Sequence, residues 1–180
     1  MALVTTTHCR RRRGSGRSCV DGRGDAPGCD ARARQADVVV MAAAVADFTP
    51  VSVRSEKIKK ADGVPTIDLE PTVDILAALG SDKPDHQTLV GFAAETEDVV
   101  ANANAKRVAK GADILVANDV SVEGVGFEHD TNEVLILSPG GERHVPLTGK
   151  ASVADAVLDA VIDERSRVGQ DRPFGTEKPT

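Results

Sequence analysis

Apolar and polar positions change character along the chain. From Ala36 onward, β-branched runs alternate with segments that carry a helical stripe. Asp37 to Val45 opens with three valines and is apolar thereafter, the pattern of a strand buried on both faces, and Ala46 to Pro50 ends it. Val64 to Leu69 alternates as a short strand, Pro71-Thr72 predicts a helix start with Thr72 as N-cap, and Gly80 its stop. Thr88 to Phe92 is the next strand. A helix is expected over residues 96–110: Thr96 caps it, Glu97 and Asp98 meet the positive end of its dipole, and Lys106, Arg107 and Lys110 precede Gly111 at the other end. Asp113 to Ala117 reads as a buried strand. Asn132 to Leu137, Ser138-Pro-Gly-Gly-Glu-Arg and His144 to Leu147 read as a hairpin. A last helix from Ser152 places Val153, Ala156, Val157, Ala160 and Val161 on one stripe, and residues 168–180 read as a frayed tail.

This alternation predicts an α/β fold, a mostly parallel sheet with helices on both faces. Its crossovers should be right-handed and its ligands should bind at the carboxyl ends of the strands. Those ends carry Ala46-Asp47-Phe48, Ala93-Ala94-Glu95-Thr96 and Asn118-Asp119-Val120. Phe48, Phe92 and Phe127 fall at strand ends or in loops, where a planar base can stack, although plugging the edge of a core is the commoner use.

Composition divides the chain. Residues 1–36 hold eight Arg, three Asp and all three cysteines, a net charge of +5, whereas residues 37–180 carry −11. The Arg10 to Arg13 run in its Gly-rich setting reads as a solvated tail more readily than as a nucleic-acid arm. Cys9, Cys19 and Cys29 form no C-x-x-C pair, so neither a zinc site nor a secreted disulfide scaffold is indicated, and a reducing cytoplasm is the expected compartment. The longest apolar run, Val38 to Ala46, is far short of the roughly 20 residues of a membrane span. With no Trp and no Tyr, the core must rest on Val, Ile, Leu and Ala. We expect residues 1–35 to be disordered, residues 36–167 to form the domain, and residues 168–180 to be flexible.

Several chemistries lack their signatures. Gly149-Lys150 is preceded by His144 where a Walker A loop needs Gly, Gly124-x-Gly126 meets His129 where a dinucleotide fingerprint needs its third Gly, and no G-x-S-x-G elbow or H-x-x-x-H pair occurs. What remains is a basic loop, Arg54-Ser-Glu-Lys57-Ile-Lys59-Lys60, in an otherwise acidic domain, and the Lys106 and Lys110 pair on one helix face. Concentrated lysines can neutralise a transferring phosphoryl group. Composition alone favours a solvated loop and surface lysines.

In order and spacing, Met41-Ala-Ala-Ala-Val-Ala-Asp-Phe48, Glu56-Lys-Ile-Lys-Lys60, Val90-Gly-Phe-Ala-Ala-Glu-Thr96, Lys106 and Lys110, Ala117-Asn-Asp-Val120, Gly126-Phe127 and Asp130-Thr-Asn132 resemble the phosphopantothenate–cysteine ligase family. The resemblance covers about residues 36–165. It implies a three-layer Rossmann-like fold and a ligase of coenzyme A biosynthesis. Such a ligase activates 4′-phosphopantothenate with CTP and Mg²⁺ as an acyl-cytidylate, which the amine of cysteine then attacks. Met41, Ala42, Ala43, Asp47, Val73, Asp74, Ile75, Leu76, Phe92, Lys106 and Lys110 match nucleotide-contacting positions. Lys57 matches the lysine at the triphosphate, the one catalytic assignment. Lys59, Lys60, Asn118 and Asp119 match substrate or loop contacts, with an Asx turn as the other reading of Asn118-Asp119. No metal ligand from the protein is identified, no FMN is expected, and a cytoplasmic homodimer is implied, with the 132–147 hairpin contributing to the interface or extending the sheet.

Residues 1–36 depart from the family, which opens with a strand and a Gly-rich turn. Ala2 to Thr6 resembles the end of a strand unit, and Thr7 to Gln35 is expected to be an out-of-frame or misassigned start, so that the first strand unit is missing. Three readings stay open at this point: the ligase domain, a catalytically inactive remnant of it, and an interaction module with a basic N-terminal arm.

Overall fold

The computed structural model describes residues 2–5, 33–42, 45–52, 56–59, 63–95, 97–119 and 130–170. The Arg10 to Arg13 run, the three cysteines, Ala43, Lys60, Thr96, Phe127, His129 and residues 171–180 lie outside them. The principal sheet has the order β1 (Ala2–Thr5), β2 (Val38–Met41), β5 (Thr88–Glu95), β6 (Ile114–Asp119), β7 (Thr131–Ser138) and β8 (Gly141–Gly149). The first four strands are parallel and the last two antiparallel. A separate antiparallel ribbon pairs β3 (Phe48–Pro50) with β4 (Leu69–Pro71). The helices are α1 (Ile75–Ser81), α2 (Val99–Ala109) and α3 (Lys150–Gln170).

Alternation of side chains along each strand sends the sheet's valines and leucines to opposite faces. Val40, Val90, Ile114, Val116, Val134 and Ile136 meet the expected stripe of α3, namely Val153, Val157, Ala160 and Val161, with Ala156 packed alongside. On the other face Val39 and Leu89 pack with Leu79 of α1, and Leu115, Ala117 and Leu137 pack around Ala103 of α2. These are the three layers expected from the sequence. At the amino edge Arg165 of α3 donates to the carbonyls of Asp37 and His86, at 2.9 and 3.1 Å, tying the helix to the entries of β2 and β5.

Several boundaries differ from expectation. β2 ends at Met41, where its register with β5 ends at Gly91. The strand expected over 64–69 is reduced to Leu69–Pro71 and joins the ribbon rather than the parallel sheet. Thr72 does not cap a helix: its Oγ1 donates to the carbonyl of Ala46 at 2.6 Å and its N–H to that of Asp47 at 2.9 Å. Asp74 caps α1 instead, its Oδ1 accepting from the Ala77 N–H at 2.9 Å. β5 runs on to Glu95 and β6 to Asp119, since their parallel register continues to the pair Glu95↔Asp119. α2 begins only at Val99, after Asp98 in a left-handed conformation, so Glu97 and Asp98 lie outside it. β1 falls within the stretch expected to be disordered, pairs with β2, and is followed by a buried Ala33.

Gly80 does not stop α1 but lies inside it, and its role is steric. A Cβ there would overlap the carbonyl oxygen of Lys110. Lys110 is the C-cap of α2, which closes with Gly111 at φ +62°, Gly111 N–H to Val108 carbonyl and Ala112 N–H to Arg107 carbonyl, a Schellman arrangement. The ends of α1 and α2 therefore meet backbone to backbone. Gly80→Ala should lower stability by about 1–3 kcal/mol, read from the midpoint of urea unfolding. Gly140→Ala, whose nearest neighbour would be Ser138 Oγ at 3.5 Å, should change it by less than about 0.5 kcal/mol.

Candidate functional site at the carboxyl edge

The carboxyl ends of β2, β5 and β6 form one edge. Met41 is half-buried against α1 with Ile75 and Leu76, so any ligand contact it makes would run through its backbone, whereas Ala42 beyond it is exposed. Asp47 is exposed, and its carbonyl is held by Thr72. That stitch places the exit of β2 beside the turn Val73-Asp74-Ile75-Leu76, where Val73 and Asp74 are exposed and Ile75 and Leu76 pack inward. Gly91 of β5 permits this packing, because a Cβ there would lie 2.5 Å from Leu76 Cδ2. Between the ribbon strands, Glu56, Lys57, Ile58 and Lys59 are all exposed and irregular.

Side chains of a helix lean toward its N-terminus, so lysines late in α2 reach back toward the carboxyl edge. Lys106 brings its Nζ to 2.7 Å from Glu95 Oε1 at the end of β5, and Lys110 pairs with Asp74 Oδ2 at the cap of α1. The two lysines named from the sequence thus converge on the site, each against a carboxylate. Phe92 is 39% exposed and by alternation shares the face of Val90, the α3 side, opposite the lysines. A ligand that meets both must straddle the edge. Asn118 and Asp119 are strand residues rather than an Asx turn, Asn118 pairing with Ala94 and Val134, and the buried Asn118 Oδ1 has no hydrogen-bond partner among the described residues.

Glu95 was not singled out from the sequence, although the signal was present. Leu89, Gly91, Ala93 and Glu95 alternate onto one face, which makes the last of them a buried acid at the end of an apolar row. A cavity of about 170 Å³ lined by Ser138, Arg143, Ala160, Asp163, Glu164 and Arg167 lies at the opposite, amino edge, away from these groups.

Residues 26–164 match the family model described as the DNA/pantothenate metabolism flavoprotein C-terminal domain. The chain belongs to that family. It is 45% identical over 135 residues to the coenzyme A biosynthesis bifunctional protein CoaBC of Bacillus subtilis, covering 74% of this chain and 33% of that protein. The chain thus spans about a third of the length of this relative. The crystal structure of the C-terminal domain of a coenzyme A biosynthesis bifunctional protein CoaBC superposes with a TM-score of 0.69 at 30% identity, covering 94% of this chain and 75% of that one. A Cab2 mutant in complex with phosphopantothenate-cysteine shares the fold, with a TM-score of 0.56 at 20% identity over 74% of this chain and 45% of that one. The family resemblance and the three-layer fold read from the motifs are borne out. No helix among the described residues is long and apolar enough to cross a membrane.

In this family domain Asp74 has two tasks, capping α1 and pairing with Lys110. Asp74→Ala should lower stability by about 1 kcal/mol through loss of the cap, and Lys110→Ala by about 0.5 kcal/mol or less because that pair is part-exposed, both read from urea unfolding.

Proposed function

We propose that the chain is the nucleotide-using half of a phosphopantothenate–cysteine ligase, which joins 4′-phosphopantothenate to cysteine at the expense of CTP. The observation that carries this reading is the convergence of Lys106, Lys110 and the Lys57 loop's anchors on the carboxyl edge of a parallel sheet in a member of this family. In the reaction the carboxylate of 4′-phosphopantothenate attacks the α-phosphorus of CTP, pyrophosphate leaves, and the amine of cysteine then displaces CMP from the acyl carbon. Negative charge gathers on phosphoryl oxygens in the first step, and fixed cations stabilise it more in the transition state than in the ground state.

Lys57, exposed on the loop between β3 and β4, supplies a cation that can close on the α-phosphoryl group. Lys59 and Lys60 extend that charge. Lys106 and Lys110, each beside a carboxylate, meet the remaining phosphates. The nucleotide runs past Met41, Ala42 and Ala43 along the backbone, past Asp47 and the 73–76 turn, and the exposed face of Phe92 receives the base. Asn118 Oδ1, an acceptor without a donor among the described residues, is suited to a hydroxyl or amide of the acyl substrate. Mg²⁺ prefers phosphate oxygens and water to an all-protein cage. Asp47, an exposed carboxylate at this edge, could join it there, and the ion would withdraw charge from the leaving pyrophosphate.

The ribbon supports the homodimer. Phe48, Val51, Ile58, Val64, Ile67, Leu69 and Val73 are all exposed on it or beside it, Val64 at 98%. A concentration of exposed apolar side chains of this kind marks an interaction surface, and a second copy of the chain would cover it. The 132–147 hairpin instead extends the sheet, through β7 and β8.

The reading is tested by titrating Mg-CTP into the purified chain and into Lys57→Ala, with pyrophosphate release measured after adding 4′-phosphopantothenate. Lys57→Ala should lower the rate of pyrophosphate release about a hundredfold or more, with CTP affinity reduced about tenfold or less. A folded chain that does not bind CTP would overturn the reading in favour of an inactive remnant. In sedimentation, Val64→Asp combined with Ile67→Asp should convert a dimeric wild type to monomer.

A further inference from the structure

Glu95, at the carboxyl end of β5, is a buried carboxylate, 7% exposed. Its neighbours on the same strand face, Leu89, Gly91 and Ala93, are apolar or small. A buried carboxylate without compensation is strongly destabilising, so an acid at the end of such a row requires a partner. The partner is Lys106, 2.7 Å away and 49% exposed along its side chain. A lysine stem that is half in solvent is not fixed by packing and would otherwise sample many rotamers. The contact engages one side of the ammonium, and its other N–H groups stay available for an arriving anion.

We propose that Glu95 is a positioning residue: it anchors the Lys106 ammonium over the carboxyl edge, so that phosphate meets a cation already in place. Preplacing the charge removes the cost of ordering a flexible side chain at the moment of binding. This role rests on the nucleotide reading for its consequence, but the anchoring can be measured without it.

Two readouts separate them, both on the full chain. In the first, Lys106 is labelled with an amine-acylating reagent and followed by peptide mass spectrometry. Glu95→Gln should accelerate labelling of Lys106 about threefold or more and leave Lys83, which is paired with Asp113, unchanged. In the second, the Kd for Mg-CTP is measured in wild type, Glu95→Gln, Lys106→Ala and the double variant. Glu95→Gln should weaken binding about tenfold, and the double variant should match Lys106→Ala within about twofold, because the acid acts through the lysine. Unchanged labelling of Lys106, or additive losses in the double variant, would overturn the proposal. Accelerated labelling in a chain that binds no CTP would uphold the anchoring and overturn the nucleotide reading. Should Glu95→Gln fail to fold, Glu95→Asp keeps the charge one methylene further back and should give an intermediate labelling rate.

Discussion

The ends of α1 and α2 touch through backbone, and the site depends on that contact. Because Gly80 has no side chain, the carbonyl of Lys110 can close against it, and Gly111 in a left-handed conformation turns the chain away into β6. Any side chain at Gly80 would wedge the two helices apart. With the helices in contact, the stem of Lys110 spans the short length of α1 and reaches Asp74 at its cap, while Lys106, one turn earlier, reaches the end of β5. Gly91 completes the fit by letting Leu76 seat directly on the sheet. Missing side chains at two glycines thus decide where two cations stand.

Those cations are held against carboxylates. On the nucleotide reading, a phosphate that adds to a lysine held in this way loses less than one that binds an unpaired and disordered lysine, because the lysine is already oriented. The two pairs differ in setting: Asp74 is exposed and is also occupied as a helix cap, whereas Glu95 is buried at the end of an apolar strand face. The lysine loop at 56–59 has no comparable restraint from regular structure. Its ends are fixed by the ribbon and by the Thr72 bonds to Ala46 and Asp47, so the loop is carried on a rigid base while its own residues stay in solvent.

Much of this was legible from residue patterns. The valine-rich starts of β2 and β5 and the stripe of α3 express burial on a fixed period, and they appear where the period places them. Lys57, Lys106, Lys110 and Phe92 were legible as types at spacings. What the pattern did not give was tertiary. Thr72 had the chemistry of a cap but found its partners in the segment that follows β2, and Asp74, two residues on, took the cap. Gly80 looked like a stop because a sequence cannot show a carbonyl from another helix. Val64 to Leu69 alternated as a strand but had no place in a sheet whose central positions were filled, leaving only Leu69–Pro71 for the ribbon. Phe92 and the lysines shared a motif, yet alternation and helix packing put them on opposite faces.

Hydrogen exchange with and without Mg-CTP tests most directly the claim that the carboxyl edge between α1, β5 and α2 is the nucleotide site. Protection should rise in peptides covering residues 56–59, 73–79 and 92–106 and stay unchanged in 136–145 and in the body of α3. Protection centred on the 138–143 turn and Arg167, at the amino edge, or no protection anywhere in a folded chain, would contradict it.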